Sequence, residues 1–512
     1  MLLNRWLDRR GIEAVCLGLF VAIGLLGAFN HVLWRDEMQG WLVAWRSQSW
    51  VELWQTNAPS GHPLLWSALI YLTRNLTGTP LSMQLLHWAL GSLALGCFWR
   101  WCPLPKLQKI CFTFGFYPFW DYFFICRQYV LAELLAFGFC SSYALRRKTY
   151  LPAALCIGLL TNSHALAWSL AFACGCTLVV DWCFSPFQRQ TYRQNRFWGW
   201  DLGLSLVVLI ALVGFAAFSL LQVRQVVDVS SSSLDLRYLL QVVGRFLGGY
   251  TLIIPNSSRW LDLWLCALIS LGLGVSTLSF LRRSRAAFTF FGAGMGFLLT
   301  FNTFLYLGGG SRHYGYYFLI LVAALWLALD PAEQVPVLTP SRPLCGWPQS
   351  WFFYPQLFTF CLAIHLVAGL HRVASDFVVP YSAGAATAQY IEHQGWQDLP
   401  MVGSRDFVVT TVAGYLDHEI YYPELQDWGS YAQWNTRVDV DQAEALRQVE
   451  GLLSENPDFQ RLLLIFDIDQ RFPDLEPGQT RIQGQLRLRA DRRFERSWHG
   501  SERYYLYWAE LL

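Results

Sequence analysis

Charged side chains are in short supply: Asp, Glu, Lys and Arg make up 14% of the 512 residues, against 54% apolar ones. A water-soluble enzyme of this length would need a polar surface that so few charges cannot provide, so the chain is expected to live mostly in lipid. A net charge of +2 leaves no basic face broad enough to neutralise a track of phosphates, which excludes nucleic acid as a partner. The 13 cysteines all fall between Cys16 and Cys361, mostly inside apolar runs and with no CxxC pair. They read as small buried hydrophobes, giving neither a disulfide framework nor a metal site. The C-terminal tail has no GxGxxG and no GxxxxGKS or GxxxxGKT loop, so no nucleotide site is claimed.

What is abundant points to membranes. The 25 Trp and 23 Tyr suit a protein with long membrane interfaces. Apolar runs lie near residues 12–32, 62–78, 82–100, 107–124, 128–145, 150–163, 165–182, 200–222, 260–281, 286–307, 313–330 and 351–370. Several are shorter than the roughly 20 residues that a hydrocarbon core demands. The first lacks a small-residue cleavage site before His31-Val32-Leu33-Trp34-Arg35 and is read as a retained anchor. Residues 376–510 hold 22 acidic groups and residues 372–503 hold 13 basic ones, so the tail carries −9 and the rest +11. Two compartments follow.

Lys and Arg gather at Arg5, Arg9 and Arg10, at Arg146, Arg147 and Lys148, at Arg189, Arg193 and Arg196, and at Arg282, Arg283 and Arg285. The positive-inside rule puts these in the cytoplasm and the tail outside. That orientation needs an odd number of crossings, so 62–78, which is short and interrupted by Arg74, is expected to be partial or re-entrant. The expected fold is a polytopic α-helical membrane protein of about 11 to 13 spans. Residues 1–370 form the membrane domain with a first outer loop at 31–62, and residues 371–512 an extracytoplasmic α/β domain. Within that domain Ala385–His393 and Gln442–Leu453 have helical spacing, while Pro400–Val402, Phe407–Thr411 and Arg461–Phe466 read as strands.

Five polar clusters fall on the outer side under this topology. Asp36-Glu37 follows directly on the first span, where carboxylates are costly unless solvated or used; the plain alternative is a helix start that favours acids. Gly61-His62-Pro63 opens the next segment, and its imidazole suits a phosphate or carboxylate. Asp121, Tyr122, Arg127 and Tyr129 sit at the end of a hairpin, where an Arg snorkels or pairs with an anion. Asn162 and His164 lie between two apolar runs, and Gly308-Gly309-Gly310-Ser311-Arg312-His313 combines flexible amides with two donors suited to phosphate.

In Asp36-Glu37, in Gly61-His62-Pro63-Leu64-Leu65-Trp66, and in the Trp120-Asp121-Tyr122, Arg127-Gln128-Tyr129 and Ser311-Arg312-His313 stretches, the chain resembles membrane glycosyltransferases of the GT-C fold. Protein O-mannosyltransferases and the aminoarabinose transferase acting on lipid A belong to that group. Leu64 stands where the familiar motif has a second proline. The resemblance implies transfer of a sugar, with inversion, from a polyprenyl-phosphate donor to a lipid, polysaccharide or protein acceptor at the outer face of a bacterial inner membrane. It also implies Asp36 as general base and Glu37 as its positioning neighbour. His62, Asp121, Tyr122, Arg127, Tyr129, Asn162, His164, Arg312 and His313 are then the substrate-binding groups. No cofactor is expected; a divalent cation on Asp36 or Glu37 is chemically conceivable, and none is assigned. The competing readings are a transporter or lipid flippase, for which Glu133 is the main acid within a span, and a non-catalytic membrane scaffold or sensor.

Overall fold

The computed structural model describes residues 9–221, 260–304, 311–330 and 353–512. Arg5 and the Gly308–Gly310 run lie outside the described residues. The chain divides into two compact units. One comprises Met1–Leu26, Gly61–Trp66 and Leu85–Val373; the other comprises Gly27–Ser60, Ser67–Gln84 and Ala374–Leu512.

The first unit is helical. Its long members are α1 (Arg9–Asn30), α5 (Leu81–Trp101), α9 (Trp168–Phe184), α11 (Trp198–Leu221), α12 (Trp260–Leu281), α13 (Arg285–Phe304), α14 (Ser311–Leu329) and α15 (Phe353–Val378). Seven described helices are long and apolar enough to cross a membrane. The chain is a multi-pass membrane protein. Between the long helices are α7 (Tyr129–Ser142) and α8 (Leu151–Ser163), of 14 and 13 residues. At ~1.5 Å per residue they are about 20 Å long, well short of a ~30 Å core. Their polar ends therefore stay inside protein, and Gln128, Asn162, Ser163 and His164 are all buried.

One expected span takes another form, and the segment expected to be partial is short. The 107–124 run is not one helix: α6 (Lys106–Thr113) stops, and a π-type turn follows at Phe116–Asp121. Pro118 cannot supply an amide hydrogen to a continuing α-helix. Gly115 marks the break, since a Cβ there would lie 3.0 Å from the Cys111 and Phe112 carbonyl oxygens. Within 62–78 the helix is only α4 (Leu65–Thr73), too short to cross; Arg74 closes it by donating to the Ala44 and Ser47 carbonyls at 2.6 Å.

The second unit joins the first loop to the tail. The loop contributes α2 (Arg35–Arg46) and α3 (Trp50–Asn57). The tail contributes α16 (Gly384–His393), α17 (Asp406–Leu416), α18 (Gln442–Glu455) and a seven-stranded sheet in the order β3-β2-β1-β4-β7-β6-β5. These strands are β1 (Met401–Ser404), β2 (Ile420–Tyr422), β3 (Asp427–Gly429), β4 (Leu462–Phe466), β5 (Thr480–Gln483), β6 (Leu486–Phe494) and β7 (Tyr504–Leu511). β1 runs parallel to β2 and β4, and the remaining pairs are antiparallel. Side chains alternate between two cores: Leu463, Ile465, Tyr504 and Leu506 pack with α17, while Leu462, Leu464, Phe466 and Tyr505 pack with α18.

The segment Phe407–Thr411, expected as a strand, is helical within α17. Its β-branched residues favour strands by propensity, but packing decides here. Val408, Val409, Val412 and Ala413 press on the sheet, while Gly414 is in such close approach to Met38 of α2 that a Cβ would overlap it. A strand would present alternate residues to one face only; a helix wedged between two layers uses its apolar residues all round.

Candidate functional site

At the start of α2 the two acidic neighbours diverge, as residues about 100° apart on a helix must. Glu37 is fully buried and accepts from the Trp34 backbone amide at 3.1 Å, closing the exposed end of its own helix. It also lies 3.1 Å from His31 Nε2, while His31 Nδ1 lies 2.8 Å from Asp376. Burial alone would make His31 lose its proton, yet the two carboxylates, Asp376 foremost, raise its pKa to about 10. Asp36 instead keeps 39% of its side chain exposed, with Arg35 Nε 3.9 Å away.

Glu502, fully buried in the same unit, accepts from Ser382, Thr411 and Tyr504 and lies 4.0 Å from Arg35. Burial pushes its pKa up to about 7 against the opposing pull of Arg35.

The membrane unit gathers the second set. Arg127 Nη2 lies 3.4 Å from His62 Nε2, and the Arg127 carbonyl is held by His87 at 3.0 Å. The His62 ring stacks on His164 at 5.3 Å, and Tyr129 O–H meets His313 Nε2 at 3.0 Å. Tyr122 stacks on Tyr129 at 5.5 Å and donates to the Arg312 carbonyl at 2.9 Å, fixing the first turn of α14. Tyr316, one turn further, stacks on His164 at 5.7 Å. His164 lies in the loop between α8 and α9 and is held neutral, well below the usual histidine range, by burial first and then by His62, His313, Arg127 and Arg312. Four segments far apart in sequence thus create one positive locus, the field a phosphate diester or monoester seeks.

Not every expected residue joins it. Asp121 is buried next to Tyr117 and Tyr122. Asn162 turns its amide to the Gly158 and Leu212 carbonyls, each at 2.8 Å, and so ties α8 to α11. His31, His87, Asp376, Arg35 and Tyr316 escaped sequence reading. A lone histidine in an apolar run, such as His87, was the available signal for one of them. Between α9 and α13 a hollow of about 440 Å³ is lined by Phe172, Gly292, Gly296, Phe297, Thr300 and Phe301. Among the described residues no cluster of His, Cys, Asp and Glu could hold a metal ion.

The architecture of membrane helices carrying a sheet domain matches a solved structure over almost its whole length. ArnT from Cupriavidus metallidurans in the apo state superposes with a TM-score of 0.50 and 12% identity, covering 97% of this chain and 98% of that one. The chain has the GT-C fold of ArnT. A second ArnT structure, bound to undecaprenyl phosphate, gives a TM-score of 0.46 and 13% identity over the same shares of the two chains. No family model and no curated protein matches the sequence. The likeness to ArnT is therefore one of fold.

Proposed function

We propose that the chain is a glycosyltransferase that moves a sugar from a polyprenyl-phosphate donor to an acceptor hydroxyl at the extracytoplasmic face, with inversion. The observation that carries this reading is the convergence of Arg127, His62, His164, Tyr129 and His313, with Tyr122 holding the Arg312 backbone. A phosphate needs cations in a fixed array, and Arg and His provide them without a metal. The polyprenyl chain needs an apolar furrow, and the hollow between α9 and α13 is flanked in sequence by His164 on one side and Arg312 on the other.

In this mechanism Asp36 accepts the acceptor's proton, the acceptor oxygen bonds the anomeric carbon, and the bond from that carbon to the phosphate oxygen breaks. The transition state has oxocarbenium character. The departing polyprenyl phosphate is stabilised by Arg127, Arg312 and their histidine neighbours. Glu37, occupied with His31 and the Trp34 amide, positions the helix that presents Asp36. Lys and Arg placement supports a cytoplasmic N-terminus and an extracytoplasmic sheet domain.

The test is to give membranes containing the protein radiolabelled polyprenyl-phosphate sugars and follow which label leaves the carrier. Release to an organic or polymer fraction supports transfer; no release with any donor overturns it. Glu133, buried in the second turn of α7, favours a second reading as a transporter. Loss of substrate movement in Glu133→Gln, with Asp36→Asn still active, would select that reading.

A further inference from the structure

The chain turns a corner between α9 and α11, two helices that are each long and apolar enough to cross a membrane. The 185–197 connection therefore lies at a bilayer surface, at the depth of the headgroups. Its short helix α10 (Pro186–Arg193) is fixed on the inner side by Gln188 and Tyr192, one turn apart. Gln188 accepts from Arg147 at 3.2 Å; Tyr192 is fully buried and donates to the Trp198 carbonyl at 3.1 Å and to Asp201 at 2.8 Å. Asn195 donates to the Lys148 carbonyl at 2.6 Å and ties down the end of the turn.

The outward side is basic and aromatic. Phe184, Phe187, Phe197 and Trp200 are all exposed. Arg189 and Arg193 are helix neighbours one turn apart, and Arg196 follows them. The Arg193 guanidinium carbon lies 5.8 Å from the Trp182 ring and 5.9 Å from the Trp198 ring, and that of Arg196 lies 5.7 Å from Phe197. Rings against the face of a guanidinium leave its N–H edge for an acceptor. No acid of the corner supplies one. Asp181 is taken by Arg146 and Ser185, and Asp201 by Thr149, Tyr192 and the Tyr150 amide. Among the described residues Lys148, Arg189, Arg193 and Arg196 meet no carboxylate. In the sheet unit, by contrast, Arg405, Arg437, Arg447 and Arg493 each meet one. Unpaired cations set among exposed rings at headgroup depth call for an anion that itself carries hydrocarbon.

We propose that this corner binds an anionic phospholipid: the lipid phosphate pairs with Arg193 and Arg196, Arg189 and Lys148 complete the positive field, and the acyl chains run past Phe184, Phe187 and Phe197. A zwitterionic headgroup brings its own cation into that field and is disfavoured, while a free phosphate forgoes the apolar contacts. The site is independent of the transferase reading, since none of these residues takes part in it. Native mass spectrometry of the full chain in detergent tests the proposal, with phosphatidylglycerol, phosphatidylcholine of the same acyl chains, and glycerol phosphate as probes. Phosphatidylglycerol should bind about tenfold or more tightly than either of the others, each basic residue being worth about fivefold at an anionic lipid surface. Arg193→Gln should weaken its binding about fivefold. The combined Arg189→Gln, Arg193→Gln and Arg196→Gln variant should bring phosphatidylglycerol down to the level of phosphatidylcholine with no change in melting temperature, and the corresponding three Lys substitutions should keep most of the preference. Arg127→Gln should leave the preference as it is, which separates this corner from the positive locus around His164. Equal affinity for the two lipids, glycerol phosphate binding as tightly as phosphatidylglycerol, a preference that survives the triple Gln variant, or one that is lost in Arg127→Gln overturns the site.

Discussion

The two ends of the short helices α7 and α8 are built on opposite principles. At one end Arg146 donates to Asp181 at 2.8 Å and to the Tyr143 carbonyl at 2.9 Å, lying over the Tyr143 ring. Close by, Asp201 accepts from the Tyr150 amide at 2.9 Å and from the Tyr192 hydroxyl at 2.8 Å. Each acid there has donors settled within the fold. At the other end Arg127 and the imidazoles of His62, His164 and His313 crowd together, and burial, reinforced by their repulsion, holds His164 neutral. Charge of one sign gathered against its own repulsion costs stability, and it is found where a ligand of opposite sign completes it. The head of α2 repeats the contrast in miniature, with Glu37 used by the fold and Asp36 presented outward.

Substitution in pairs breaks or sharpens this contrast. The largest effect is expected at Asp36: Asp36→Asn should cut label transfer by about 10² to 10⁴, the usual worth of a general base, with no change in melting temperature. Glu37→Gln should instead lower the melting temperature; equal turnover in Asp36→Asn and the parent chain removes the base assignment. Next, Arg146→Gln leaves Asp181 buried beside a neutral amide and should cost about 3–5 kcal/mol of stability, read as lower yield and earlier unfolding. Arg127→Gln should unfold normally and raise the KM for the donor. Matching losses of stability in the two variants would erase the difference between the ends.

A smaller loss, about 1–3 kcal/mol, is expected of Gly414→Leu, since a larger side chain there meets Met38; thermal unfolding in detergent reads it. The least is expected from pH. The folded pKa of His31, about 10, lies above its ordinary 6.5. Its contribution is therefore complete below pH 6.5 and is lost as pH rises through 10. His31→Gln should flatten the decline of melting temperature across that window.

Much of the fold was legible because its signals are local. Gly384–His393, Gln442–Glu455 and Leu462–Phe466 follow from residue periodicity, as do the long apolar helices. The helix at Asp406–Leu416 was not legible, because Val408, Val409 and Val412 reveal their helical state only through the layers on either side. The β5 to β7 ribbon was missed because its arginine-rich, edge-facing residues, such as Arg487 and Arg489, obscure the alternation. At the site, the clusters around His62, Arg127, His164 and His313 stood out as polar interruptions of apolar runs. Arg35 did not, since its neighbour Glu502 lies several hundred residues away.

His31 grips Glu37 at the head of the first loop and Asp376 at the root of the tail, while Gln39 clasps Ala432. Residues 31–60 and 374–512 consequently behave as one inherited part despite the long stretch of chain between them. Anyone exchanging the sheet domain with that of another chain of this fold must transplant the loop along with it, or the graft will arrive without half of its own packing.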